Sequence, residues 1–347
     1  MSLIVYSDDF VNHYDISHSI SVQMSKYYND VGKFTLVVPI NDYNIEAIKN
    51  DRILYDTKKK IAYIVKNVKI DTKQNWITAN GYTTNHILNS RVFPILYHVM
   101  NNVESDVYYS VTNTLQSEGG ARNIPRLSVA PAKGLTESGY AEFGRAPVLE
   151  SIMPVLSDAE MGHDMKWNHR TKEHIFEIYK GADLTTGIHA VVFSDEWGTA
   201  RDLVINDDVS TFKNVAYVRA KYGDDYRNLC VGTATGGDRY EAFFDISLSQ
   251  EENETEDQFR KRMETHGAME LGKLVRRQSF SVTIDPAELG VLYNIGDLVS
   301  CVSKRFGVRF NARITGMMYK KDANSETTEV VLGEPKLTAI GEVKLSG

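Results

Sequence analysis

The chain has 347 residues and a mass of 39.1 kDa, long enough for two or three domains with sizeable cores. Lysine plus arginine number 39 against 46 acidic residues, and a net charge of −7 argues against non-specific clamping of nucleic acid, which needs a basic surface. Hydrophobic (42%) and charged (24%) contents are ordinary for a globular protein, no apolar run approaches the ~18 residues of a membrane span, and two cysteines cannot form a disulfide framework.

The first ninety residues read as short strands with one helix. Ile20, Val22 and Met24 alternate with polar neighbours, Asn29-Asp30-Val31-Gly32 supplies a turn, and Phe34, Leu36 and Val38 alternate again up to Pro39. That predicts a hairpin from Ser19 to Val38. A short helix is expected next, capped by Asp42 with Ile45 and Ile48 on its buried face. Arg52–Tyr55 and Ile61–Ile70 form a second hairpin around Lys58-Lys59-Lys60, and a turn near Lys73–Asn75 leads to a strand at Trp76–Ala79.

The middle changes character. Val107, Tyr108, Val111 and Leu115 share one face of a helix over Val103–Ser117. Glu118–Gly144, rich in Gly, Ala, Ser and Pro, reads as a long loop. A second helix is expected from about Ala146, with Pro147 in its first turn and a kink or early end at Pro154. Lys166–Asn168 and Ile175–Tyr179 flank a turn at His169–Lys172.

Strands then return. Val215–Tyr222, Asn228–Thr235 and Arg239–Ser247 are separated by Gly223-Asp224-Asp225 and Gly236-Gly237-Asp238. Thr255 and Gln258 make a capping box for a helix carrying Phe259, Met263 and Leu271 and ending near Val275, with Arg276-Arg277 at its negative end. Phe280–Ile284, Leu298–Ser303, Val308–Thr315 and Glu329–Leu332 are further strands, with a hairpin tip at Asp322–Ser325 and a loose tail after Pro335. The fold class is therefore mainly β with α+β, strand-rich at both ends.

Candidate chemistry is sparse. His163, Asp164, His169 and His174 have metal-ligand chemistry but no metal-ligand spacing, and exposed hairpin residues are expected. Cys230 and Cys301 lie on strands without a CxxC partner or nearby base, and both are expected to be buried. Asp8-Asp9, Asp207-Asp208 and Asp224-Asp225 are sequence neighbours, which on a strand point to opposite faces and so make no catalytic dyad. Gly232-x-x-x-Gly236-Gly237 lacks the Lys-Ser/Thr ending of a phosphate loop. Trp76, Trp167 and Trp197 are the candidates for a sugar-binding platform, each expected in the core. The tyrosines, 19 in number, are expected to be mostly ordinary sheet residues. No catalytic, cofactor-binding or metal-ligating residue is assigned.

Tyr28-Asn29-Asp30-Val31-Gly32-Lys33-Phe34-Thr35-Leu36-Val37-Val38-Pro39 resembles the Gly-x-Phe-x-Leu-x-x-Pro hairpin near the start of phage tail-hub proteins, the N-terminal domains of siphophage tail-associated lysins and their baseplate and tailocin relatives. Leu88–Phe93, Ala121–Pro125, Asn214–Val218, Ile295–Val299 and Val331–Gly333 are similar to that family's later landmarks, in the same order. The resemblance implies two similar small β-barrel domains and a middle α+β domain: a first barrel at 1–90, the middle domain at 91–205, a second barrel at 206–340 with an inserted helix at about 255–275, and a tail at 341–347.

It further implies a non-enzymatic hub, without cofactor, at the virion tail tip. Three copies would present six barrels as a pseudo-sixfold ring. Implied partners are two further copies, the distal tail protein or tail tube, the tape-measure protein and a tail-tip fibre or lysin. DNA would pass through the ring without specific binding, and no stable membrane insertion is expected. With no secretory leader or lipidation motif at MSLIVYSDDF and a chain that stops soon after the second barrel, assembly in the host cytoplasm and no cell-wall hydrolase domain are expected. A carbohydrate- or receptor-binding adhesin and a cell-wall hydrolase are the competing readings.

Overall fold

Period-two alternation dominates the chain, and the molecule is mostly β. The computed structural model describes residues 2–333 apart from 101, 117–119, 140, 195, 200, 249, 252–253, 276, 284–287 and 304–307. The chain starts with β1 (Leu3–Tyr6), β2 (His13–Ile16), β3 (Ser21–Tyr27), β4 (Lys33–Pro39), α1 (Asp42–Ala47), β5 (Ile53–Asp56), β6 (Ile61–Asp71) and β7 (Trp76–Thr83). A 3-10 turn over Thr84–Ser90 leads to β8 (Leu96–Val99), α2 (Val103–Leu115), β9 (Leu127–Val129), β10 (Ala141–Gly144), α3 (Val148–Asp158), β11 (Gly162–Asn168) and β12 (Glu173–Tyr179). Next are β13 (Val192–Ser194), β14 (Arg201–Asp208), β15 (Val215–Tyr222), β16 (Asp225–Val231), β17 (Glu241–Asp245) and α4 (Glu256–Gly272). The last strands are β18 (Arg277–Thr283), β19 (Leu298–Ser303), β20 (Val308–Lys321) and β21 (Glu326–Leu332).

The chain divides into two compact units, one comprising residues up to Val204 and from Ser281 onward, the other Ile205–Phe280. A single curled sheet, mostly within the first unit, contains two strand sets; residues 205–208 of β14 and 277–280 of β18 are counted with the second unit. One set runs β3-β4-β7-β6-β5-β1, with β2 beyond β1; the other runs β14-β18-β21-β20-β19-β13. Numbered by chain order within each set (β2 apart), both read second, third, sixth, fifth, fourth, first. The two strand-rich regions expected from the sequence are thus present with one strand order. They differ at the margin: β1 lies antiparallel to β5, whereas β13 lies parallel to β19.

The sets are joined by β3 and β20, paired antiparallel from Tyr27↔Gly316 to Val22↔Lys321. Met317 and Tyr319 therefore share a core with Val22, Met24, Phe34, Leu36 and Tyr63. The other sheet face buries Tyr6, Ile53 and Ile64 against Trp167.

This division differs from the three stretches expected. The second strand set starts at β13, not at residue 206, and is interrupted by most of the second unit. The helix expected at about 255–275 belongs to that unit instead of to a barrel. Pairing of β14 with β18 skips most of a folded unit, so it has no local sequence signal.

The middle block packs α2 and α3 with β11, β12 and β9 around Val107, Val111, Ile152, Phe176 and Ile178. The stretch read as a structureless loop is pinned at several points, although Glu118 lies outside the described residues. β9 pairs parallel with β12, and β10 pairs with β8. The buried Glu104 carboxylate accepts from Lys133 N at 2.6 Å and Leu135 N at 2.9 Å. Pro154 does not end α3, which runs on to Asp158 because Ile152, Val155 and Leu156 are buried on either side of it. In α1 the cap is Asn41, whose side chain accepts from Asn44 N, and not Asp42; Ile48 is buried as expected but Ile45 is exposed.

In the second unit the order is β16-β15-β17, with β17 parallel to β15, so Gly236-Gly237-Asp238 is a 3-10 turn in a crossover and not a hairpin tip. Phe259 and Met263 of α4 pack on Ala216, Val218 and Ala220 of β15. The Thr255–Gln258 capping box forms as the sequence predicts. Ile284, Arg276 and the tail after Pro335 lie outside the described residues.

Candidate assembly surfaces

The residues carrying the resemblance are brought together as structural fasteners. A Cβ on Gly32 would lie 2.1 Å from the carbonyl oxygen of Ser25, so only glycine permits the close return of β4 onto β3. Tyr28 donates to Glu160 O at 3.0 Å and its ring covers Gly162 and Gly296, tying the first strand set to the middle block and to the approach to β19. Arg91 Nε donates to Arg122 O at 3.0 Å, and Arg122 donates back to Val92 O, so two landmarks distant in sequence meet. Asp297 accepts from Ala182 N at 2.8 Å and Asn294 N at 2.7 Å, fixing the start of β19.

The edges of the strand sets differ. On one side β20 pairs with β21. On the other, Val308–Ser303 to Arg313–Leu298 pairs it with β19, and beyond a register shift at Ile314/Gly316 the strand is covered by β3. β6 repeats the arrangement only in part. It pairs with β7 along one side and with β5 over Ile61–Ile64 on the other, with a register shift at Val65/Asn67. Beyond that shift Lys66–Asp71 has no strand on the β5 side among the described residues, and Ile70 is half exposed. β14 ends the strand path at the opposite margin.

The residues singled out for chemistry do not assemble a reactive centre. His169 is exposed as expected, but His163 and His174 are buried, each lowered to about 4 by loss of solvation. They point into sheet packing, where the His174 ring lies 4.7 Å from that of Trp167. Both strands begin earlier than expected from the sequence, which takes His163 and His174 into the sheet; what a single sequence lacks is the covering 3-10 turn, where Asn85 faces His163 at 3.4 Å. No metal-ligating cluster occurs among the described residues. Cys301 is buried, its thiol pushed up to about 12 by desolvation, whereas Cys230, expected to be buried, is exposed. Asp8 is held below the usual carboxylate range by Arg52 at 2.9 Å, and Asp9 by the hydroxyl of Ser7. Trp167 is buried, Trp76 partly so, and Trp197, expected in the core, is exposed. Lys58-Lys59-Lys60 forms the expected tip, closed by Asp56, whose carboxylate accepts from Lys58 N and Lys59 N.

One surface escaped sequence reasoning. Tyr217, Tyr226 and Phe243 are exposed on the β16-β15-β17 sheet of the second unit, with Arg219 centred 4.9 Å over Tyr226 and 5.7 Å over Phe243. Alternation along β15 contained the signal: Ala216, Val218 and Ala220 are covered by α4, which leaves Tyr217 and Arg219 on the other face.

The model of the family described as Siphovirus ReqiPepy6 Gp37-like protein matches residues 3–334. No curated protein matches the chain. Among solved structures, a tail protein from Neisseria meningitidis MC58 superposes with a TM-score of 0.59 at 12% identity, covering 96% of each chain. The 43 kDa tail protein of prophage MuSo2 from Shewanella oneidensis gives 0.57 at 12% identity over 96% of this chain and 98% of its own. Prophage tail protein gp18 from Listeria monocytogenes EGD-e gives 0.53 at 14% identity over 98% and 96%. The fold is that of these tail proteins.

Proposed function

The chain belongs to the Siphovirus ReqiPepy6 Gp37-like family, and from that premise we propose that it is a structural hub at the distal end of a phage or prophage tail. Three copies form a ring in which six strand sets alternate, and the ring docks on the tail tube or distal tail protein. The observation that carries this reading is the repeated strand order, second-third-sixth-fifth-fourth-first, in one sheet. A subunit with two like parts presents a threefold assembly as a near-sixfold surface. The tape-measure protein and DNA pass through the ring, and the chain's net charge of −7 is compatible with a lumen to which phosphates do not adhere. The hub contributes no catalysis. Electron microscopy and mass photometry of the concentrated protein test the proposal: a ring of three copies is expected, and a closed dimer would overturn it. Release of soluble fragments from cell walls would overturn the non-enzymatic part.

A second reading, a cell-surface adhesin, is favoured by the exposed Tyr217, Tyr226 and Phe243. Stacking of sugars on such rings would serve that role. Cell-wall pulldown that is lost in Tyr217→Ala/Phe243→Ala would support it; equal retention of both proteins would remove it.

A further inference from the structure

We infer that the open half of β6, Lys66–Asp71, is the docking edge for β14 of a second copy of this chain, added as β3 is added to β20 within one chain. The inference rests on the hub reading above and names the surface that would join its subunits.

β6 and β20 are equivalent by several independent marks. Each is the fifth strand of its set, flanked by the sixth on one side and by the fourth over its first half on the other. Each changes register midway, at Val65/Asn67 and at Ile314/Gly316. Each ends in a turn closed by an aspartate: Asp71 accepts from Lys73 N and Gln74 N, and Asp322 from Asn324 N and Ser325 N.

Only one of the two is completed. On β20 the half beyond the shift is covered by β3, the second strand of the other set, and Met317 and Tyr319 are buried there. On β6 the same half has no strand beside it on the β5 side among the described residues. The strand equivalent to β3 is β14, the second of its own set, which ends the strand path and has no strand on its outer edge among the described residues. Within one copy β6 and β14 are separated by six strands of the same sheet, β18, β21, β20, β3, β4 and β7. A second copy supplies the missing strand without bending that sheet. The two edges differ, so each copy offers one and fills another, which is the head-to-tail contact from which rings close. Backbone pairing supplies the adhesion, as in strand addition generally.

Lys66 and Lys69 lie on this half of β6, ion-paired within the chain to Asp51 at 2.5 Å and to Asp71 at 3.5 Å. Lysines on an edge discourage indiscriminate pairing.

The test uses the full chain at high concentration, with Cys230→Ser as background. Single cysteines are placed at Lys69→Cys on one side and, in turn, at Val204→Cys, Ile205→Cys and Asn206→Cys on the other. Oxidation of at least one pairing is expected to give covalent trimers in denaturing gels. A trimer by mass photometry that none of the pairings cross-links would overturn the inference while leaving the hub reading intact. A protein monomeric at every concentration would overturn both. As a second arm, Ile70→Asp, at a half-exposed position of this edge, is expected to lower trimer affinity at least tenfold with the monomer still folded by circular dichroism. Unchanged trimerisation in that variant would contradict the proposed edge.

Discussion

The two strand sets of the first unit share one order of strands yet treat one connection in opposite ways. Between the second and third strands of the first set, β3 and β4, the chain turns in the five residues Tyr28–Gly32. Between the corresponding strands of the other set, β14 and β18, it builds most of a second unit, with its own sheet, helix and core. A hairpin tip is where a fold tolerates added chain, because few buried contacts cross it. The contrast separates what the sheet requires, which is the repeated order, from what it merely permits, which is the excursion.

The strongest challenge to that comparison is to damage each set at its core. Phe34 and Phe310 are both buried, one in each set. Phe34→Ala and Phe310→Ala are each expected to cost about 3–5 kcal/mol. Because β3–β20 pairing makes the sets one sheet, chemical denaturation should show a single transition for the first unit in both variants. Loss of one set alone, leaving the other folded, would show that they are separate domains.

A slightly smaller effect comes from pH. His163 and His174 have folded values lowered to about 4 by burial. The unfolded chain protonates them near ~6.5, so it binds more protons in between. Their contribution is present in full above pH ~6.5 and is lost as pH falls to ~4, about 3 kcal/mol for each histidine. Urea midpoints measured across that window should fall accordingly, and His163→Gln should flatten the fall. Midpoints that stay level would show that the two rings are solvated in the folded state.

The smallest expected effect sharpens the comparison most. Replacing residues 209–275 with a five-residue turn of the kind that joins β3 to β4 should leave the first unit folded, its melting temperature within ~4 °C of the parent. A variant that fails to fold would mean that the second unit is needed by the sheet.

Much of this arrangement was legible in the residues. Alternation around Gly32 located β3 and β4, and Thr255 with Gln258 located the start of α4. Other features depend on partners distant in the chain. β1 and β2 have only four residues each, too few to show a period. The joining of β20 to β3 links residues about 290 positions apart, and neither strand alone announces the other. The depth of His163 depends on the Thr84–Ser90 turn that covers it, and the exposure of Cys230 and Phe243 depends on α4 covering only one sheet face.

Six like strand sets in a ring of three copies is the central claim, and averaged electron micrographs of the purified assembly viewed down its axis test it most directly. The account predicts three subunits with six nearly equal lobes around a central channel. Three isolated lobes without that sixfold modulation, or an assembly built on a twofold axis, would contradict it.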